Sequence, residues 1–237
     1  MRRRVGPVGQ DGCPFRDSGA AEAGGYVLAV AGVLVAAGLV LHPLPAGGLE
    51  ERSSLLAATP LWGAIHWAIA LGFVLCVLGG LLMLTAGGFL TRRWEGALAW
   101  GAITVGMLFF TGVALINAAV LHPLAPLAEA GDAQAGLLFE SFNHLLVGYG
   151  WLGNPLFLVG LTLLAALEVR HQIVGLPRWL AQLGLVSALL SWLRGIGSAT
   201  GLYVLEPFVL ANIPAFLWLG WYGLRIAAVG RRAPRGR

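Results

Sequence analysis

Apolar residues in this chain gather in six long runs separated by short polar connections. The runs extend from about Tyr26 to Leu41, Leu61 to Phe89, Gly96 to Leu121, Leu137 to Leu167, Trp179 to Tyr203 and Phe208 to Val229. A helix needs about 20 apolar residues to cross roughly 30 Å of hydrocarbon, so each run predicts a transmembrane helix. The first run is short and is expected to begin a few residues earlier. The pattern thus predicts an all-α bundle of six transmembrane helices over residues 26–229, with a polar tail at 1–25 and a basic tail at 230–237.

The polar connections orient the bundle. Arg2, Arg3, Arg4, Arg16, Arg92, Arg93, Arg170, Arg178, Arg225, Arg231, Arg232, Arg235 and Arg237 all fall on one side, whereas the opposite connections hold Arg52 against Glu50, Glu51, Glu129, Asp132, Glu140 and Glu206. Basic residues accumulate on the cytoplasmic flanks of membrane helices. Both termini are therefore expected in the cytoplasm, in the bacterial inner membrane, with the acidic connections facing outward.

A repeat overlies this pattern. Val40-Leu41-His42-Pro43-Leu44 returns as Val120-Leu121-His122-Pro123-Leu124 and, altered, as Val204-Leu205-Glu206-Pro207-Phe208. Each copy closes an apolar run on the outward side, and the spacing of about two helices suggests three parallel helical-hairpin repeats. His66 follows the first copy's histidine by 24 residues and His144 follows the second's by 22.

Composition agrees with a membrane chain: 58% of residues are hydrophobic and 11% charged, against about 25% charged in soluble domains. All 15 basic residues are arginines, and apart from Arg194 within the fifth run they cluster where runs end, which does not indicate nucleic-acid binding. Cys13 and Cys76 lie too far apart to suggest a disulfide framework or a zinc knuckle. Gly148-Tyr149-Gly150-Trp151-Leu152-Gly153 spells a dinucleotide fingerprint, but it has no preceding strand and lies within an apolar run, so no nucleotide is expected. Its glycines suit close helix approach instead.

Candidate chemistry collects at the outward ends. At 1.5 Å per residue, His66 and His144 stand roughly 35 Å from the inner boundary, level with His42, His122 and Glu206. Imidazoles and a carboxylate together suit iron, copper or zinc, and a bis-histidine pair suits haem. The five residues are therefore candidate metal ligands. Glu140, four residues before His144, Arg194, Asn117 and Asn143 form a candidate supporting shell. Against this stands a simpler role: a histidine favours a helix C-terminus, and the following proline ends the helix. Pro155 is expected to kink the fourth helix and to free a carbonyl.

The segment Leu176-Pro177-Arg178-Trp179-Leu180, followed by Gly184, and the closing Ile213-Pro214-Ala215-Phe216-Leu217-Trp218 resemble the second half of an uncharacterised bacterial family of small multi-helix membrane proteins. The resemblance implies a helical membrane fold and no catalytic residues. The leading functional expectation is a bilayer-embedded protein holding a transition metal or haem on its outward side, for redox chemistry or metal handling. A non-catalytic accessory subunit of a respiratory or photosynthetic complex, with other membrane subunits as partners, is the alternative. A small-molecule carrier is the third.

Overall fold

The computed structural model describes residues 15–43, 49–88, 93–200 and 202–232, without the side chains at 49, 50, 198, 199, 203 and 206. All regular structure among these residues is helical. The six long helices expected from the apolar runs are present, each long and apolar enough to span a bilayer.

Helix α1 (Ser18–Leu41) begins before the apolar run proper, because Asp17 caps it by accepting from the Ala20 amide at 3.0 Å. A short helix, α2 (Leu49–Ala58), precedes α3 (Trp62–Ala86). Helix α4 (Trp94–Ile116) passes through one π turn (Asn117–Leu121) directly into α5 (His122–Glu129). The longest helix, α6 (Ala133–His171), is capped by Asp132, which accepts from the Gln134 and Ala135 amides, and it runs on through Pro155. Helix α7 (Arg178–Thr200), a 3-10 segment (Tyr203–Ala211) and α8 (Asn212–Arg232) complete the chain.

The three motif copies take three backbone forms. The first ends α1 at His42 as expected, the second lies inside a continuous helix, and the third falls in the 3-10 segment. Continuation through His122-Pro123 has a local cause. Proline lacks an amide donor, but it is tolerated in a first helical turn. Here the π turn resets the ladder: the His122 amide donates to the Asn117 carbonyl, and Pro123 enters α5 at its start.

The six spans form a closed ring in the order α1, α3, α4, α6, α7, α8 and back to α1. These helices are apolar on every face, so packing rather than amphipathicity must hold them together. Glycine makes the close approaches. A methyl on Gly25 would collide with the Gly223 carbonyl, and one on Gly32 would lie 2.5 Å from the Phe216 carbonyl, so α1 and α8 meet backbone to backbone. Gly153, from the false dinucleotide fingerprint, faces α4, where a methyl would sit 3.0 Å from the Gly106 carbonyl.

Inside the ring, an aromatic floor divides the bundle. Phe157 and Phe216 stack with centroids 4.9 Å apart and planes 7° from parallel. Phe73 lies 5.4 Å from Phe110 and 5.9 Å from Phe216, so four helices contribute to one layer. On the arginine-rich side of this layer, Trp218, Tyr222 and Trp100 fill the core. That end is laced by polar contacts: Arg93 to His171 at 3.0 Å, Arg231 to Glu22 at 3.1 Å, and Arg225 to the Gly175 carbonyl at 3.0 Å. The buried Glu168 carboxylate accepts from the Val174 and Leu176 amides and so folds the connection from α6 to α7.

The α1–α8 seam yields a test. Overpacking a tight site typically costs about 1–3 kcal/mol, so Gly32→Leu is expected to lower the thermal midpoint of the detergent-solubilised protein. Gly148→Ala, where an added methyl meets nothing within 4 Å, is expected to leave the midpoint unchanged or slightly raised.

Candidate functional site

Opposite the arginine-rich end, the ring holds a half-open cavity of about 660 Å³ to which all six spans contribute. The aromatic floor closes it on one side. Its polar lining comes from His42, His66, Arg52 and Asn117 on one flank and from Asn154, Asn212 and Arg194 elsewhere. Pro155, inside the continuous α6, also lines it.

Helix α2 places Arg52. Glu129, at the end of α5, accepts from Ser53 at 2.5 Å and from Ser54 at 2.9 Å, which pins α2 against the end of the bundle. Arg52 then reaches inward, where one terminal nitrogen donates to Asn117 Oδ1 at 3.3 Å. Asn117 is held in turn by donating to the Val113 carbonyl at 3.0 Å. Burial lowers the Arg52 pKa from its ordinary value, yet arginine remains charged under any relevant condition.

Beside Arg52 lies a three-ring cluster. His42, Trp62 and His66 have centroids 4.5 to 4.9 Å apart. His66 Nδ1 is 2.9 Å from the Trp62 carbonyl, and His42 Nδ1 is 2.6 Å from the Pro43 carbonyl. A carbonyl oxygen only accepts, so each Nδ1 carries the ring proton. The two Nε2 atoms, 3.2 Å apart, are then both bare lone pairs in the neutral rings. Such an arrangement repels unless a proton or another cation sits between the nitrogens. Burial holds the His42 imidazole below its ordinary range; the Pro43 hydrogen bond opposes this and the Arg52 charge reinforces it. A shared proton is therefore disfavoured.

The other expected residues are placed as follows. His122 packs on α3, where a methyl at Gly63 would lie 2.9 Å from its ring, and its Nδ1 is buried without a hydrogen-bond partner. It does not join His42 and His66 in a metal-ligand group among the described residues. His144 is exposed on the outer face of α6, 3.7 Å from Glu140, which is exposed too; neither lines the cavity. Asn143 is partly buried, with an unpartnered Oδ1. Glu206 belongs to the 3-10 segment, and its side chain lies outside the described residues. No group of three or more His, Cys, Asp or Glu residues suited to a metal is gathered among the described residues.

Sequence reasoning gave Arg52 no role in the site, although it was the only arginine in the outward connections. Nor does it single out Trp62, at the start of an apolar run, or Glu168, whose apolar neighbours Leu167 and Val169 hint at burial. No protein-family model, curated protein or solved structure matches the chain.

The pinning of α2 is testable. Hydrogen bonds to a charged group are worth about 1.5–3 kcal/mol, so Glu129→Ala is expected to reduce amide-exchange protection across α2 by about tenfold or more. Protection in the six spans is expected to remain unchanged.

Proposed function

We propose that this chain is a multi-pass protein of the bacterial cytoplasmic membrane that binds a transition-metal ion through His42 and His66. The observation that carries the reading is the pair of Nε2 atoms 3.2 Å apart, each backed by a carbonyl at Nδ1. Metal-bound histidines characteristically donate their other ring proton to a carbonyl or carboxylate, which fixes the tautomer and raises ligand basicity. With bonds of about 2.1 Å, a separation of 3.2 Å corresponds to an angle at the metal of roughly 100°. That suits adjacent positions of a tetrahedral or octahedral ion. It does not suit the opposed axial ligands of a bis-histidine haem, and His144 on the outer surface is turned away from His66.

Two protein ligands leave coordination positions open toward the cavity, as a site for metal handling or redox chemistry requires. Imidazole donors favour copper, zinc or iron. The arginine distribution supports a cytoplasmic location for both termini and an outward-facing cavity. The aromatic floor favours a closed binding site over a carrier pathway. Under the accessory-subunit reading the protein would carry no metal.

Metal analysis after native expression, and after reconstitution with copper, zinc or iron, tests the proposal. Near-stoichiometric metal is expected in the wild type and in His144→Ala. Losing a hydrogen-bond partner behind a ligand costs 10–100-fold in affinity, so His42→Ala and His66→Ala are expected to lose more than about 100-fold. Absence of metal under both regimes would sink the reading.

The pH dependence follows from His42, which faces Arg52 on α2 and His66 on α3. Its depressed proton affinity leaves Nε2 free at neutral pH. Metal affinity is expected to stay flat through neutral pH and past the ordinary histidine value of about 6.5, and to fall only at more acid pH, as His42 takes up a proton. Equilibrium dialysis across pH 5 to 8 measures this. The same sign applies to stability: protonation of His42 favours the unfolded chain, so its contribution is lost on acidification through that window.

A further inference from the structure

We propose that the central cavity binds an amphiphile with an oxyanion head and a single apolar chain, its head seated on Arg52. The inference is independent of the metal. Arg52 lines the cavity, its only hydrogen bond among the described residues is the 3.3 Å contact to the neutral Asn117 amide, and its Nε is buried without a partner. No carboxylate lies within ion-pair distance of it among the described residues. Glu129, carried by the adjacent helix, is taken up by Ser53 and Ser54. Among the described residues, the titratable side chains that feel the Arg52 charge are the His42 and His66 imidazoles, which add no negative charge.

Arg52 is partly buried with its Nε sealed from solvent, and a charge withdrawn from water is normally compensated by a partner, because leaving it unpaired is costly. Guanidinium is a planar donor fork matched to carboxylate and phosphate. The cavity supplies this fork at one flank and apolar walls beyond it, including Phe73, Phe110, Trp151 and Trp192. Its volume of about 660 Å³ lies within the range of about 300–1,000 Å³ for small-molecule sites. A simple inorganic anion would satisfy Arg52 and leave the aromatic walls uncovered. A neutral lipid would cover the walls and leave the charge uncompensated. A fatty acid or a lysophosphatidate satisfies both.

The experiment uses the full chain, stripped of metal with chelator so that the outcome does not depend on the histidine pair. Binding of palmitate, palmitate methyl ester, lysophosphatidate and inorganic phosphate is measured by native mass spectrometry and by thermal stabilisation in detergent. Palmitate or lysophosphatidate is expected to bind one per chain, at least tenfold more tightly than either the ester or inorganic phosphate. The better of the two identifies the head as carboxylate or phosphate. Arg52→Gln is expected to abolish the preference for palmitate over its ester while leaving ester binding intact. Arg52→Lys, which keeps the charge and loses the fork, is expected to be intermediate. Equal affinity of palmitate, lysophosphatidate and the ester in the wild type overturns the proposal without recourse to any variant. Binding of inorganic phosphate as tight as that of both amphiphiles overturns it as well, and so does an unchanged preference in a folded Arg52→Gln protein.

Discussion

Everything in this bundle depends on how closely α1 and α8 approach. Lipid is as apolar as the helix faces it surrounds, so no hydrophobic force drives these two helices together. What remains is dispersion between backbones, and it is realised because Gly25, Gly32 and Gly223 offer no side chain to hold them apart. That seam closes the ring, and the cross-bundle contacts of Phe216 with Phe73 and Phe157 and of Tyr222 with Trp100 fill it. A ring has an inside.

The inside is divided by size. Large aromatic side chains fill the arginine-rich half, where Trp100, Trp218 and Tyr222 are fully buried. Toward the other end the helices carry His42, His66, Arg52 and three asparagines on their inner faces, and these do not fill the space. The same end receives α2, which brings a cation inward from a polar connection. Polar groups at this depth are costly unless satisfied, and the carbonyl-backed histidines and the Asn117–Arg52 contact satisfy part of them.

The number of spans was legible in the sequence because hydrocarbon thickness fixes the length of an apolar run. Helix ends were less so: His42-Pro43 ends a helix whereas His122-Pro123 does not, and the difference lies in a π turn that no local residue pattern announces. Depth was legible by counting residues, which is why His42, His66 and His122 were candidates. Rotation about the helix axis was not. His66 and His144 occupy similar positions after their motifs, yet turns and a separate short helix lie between motif and histidine, so the count carries no helical phase; the first faces the interior and the second the exterior. Arg52 was read as a flanking charge because its inward reach depends on Glu129, 77 residues later.

The phenylalanine layer has an electrical consequence. A transmembrane potential falls mainly across the densest, least polar part of a barrier, and moving one elementary charge through 100 mV involves about 2.3 kcal/mol. In this bundle that part is the packed aromatic half. A charge that reached the cavity from the histidine side would stop before that half, and its equilibrium there would answer mainly to one compartment rather than to the voltage between the two.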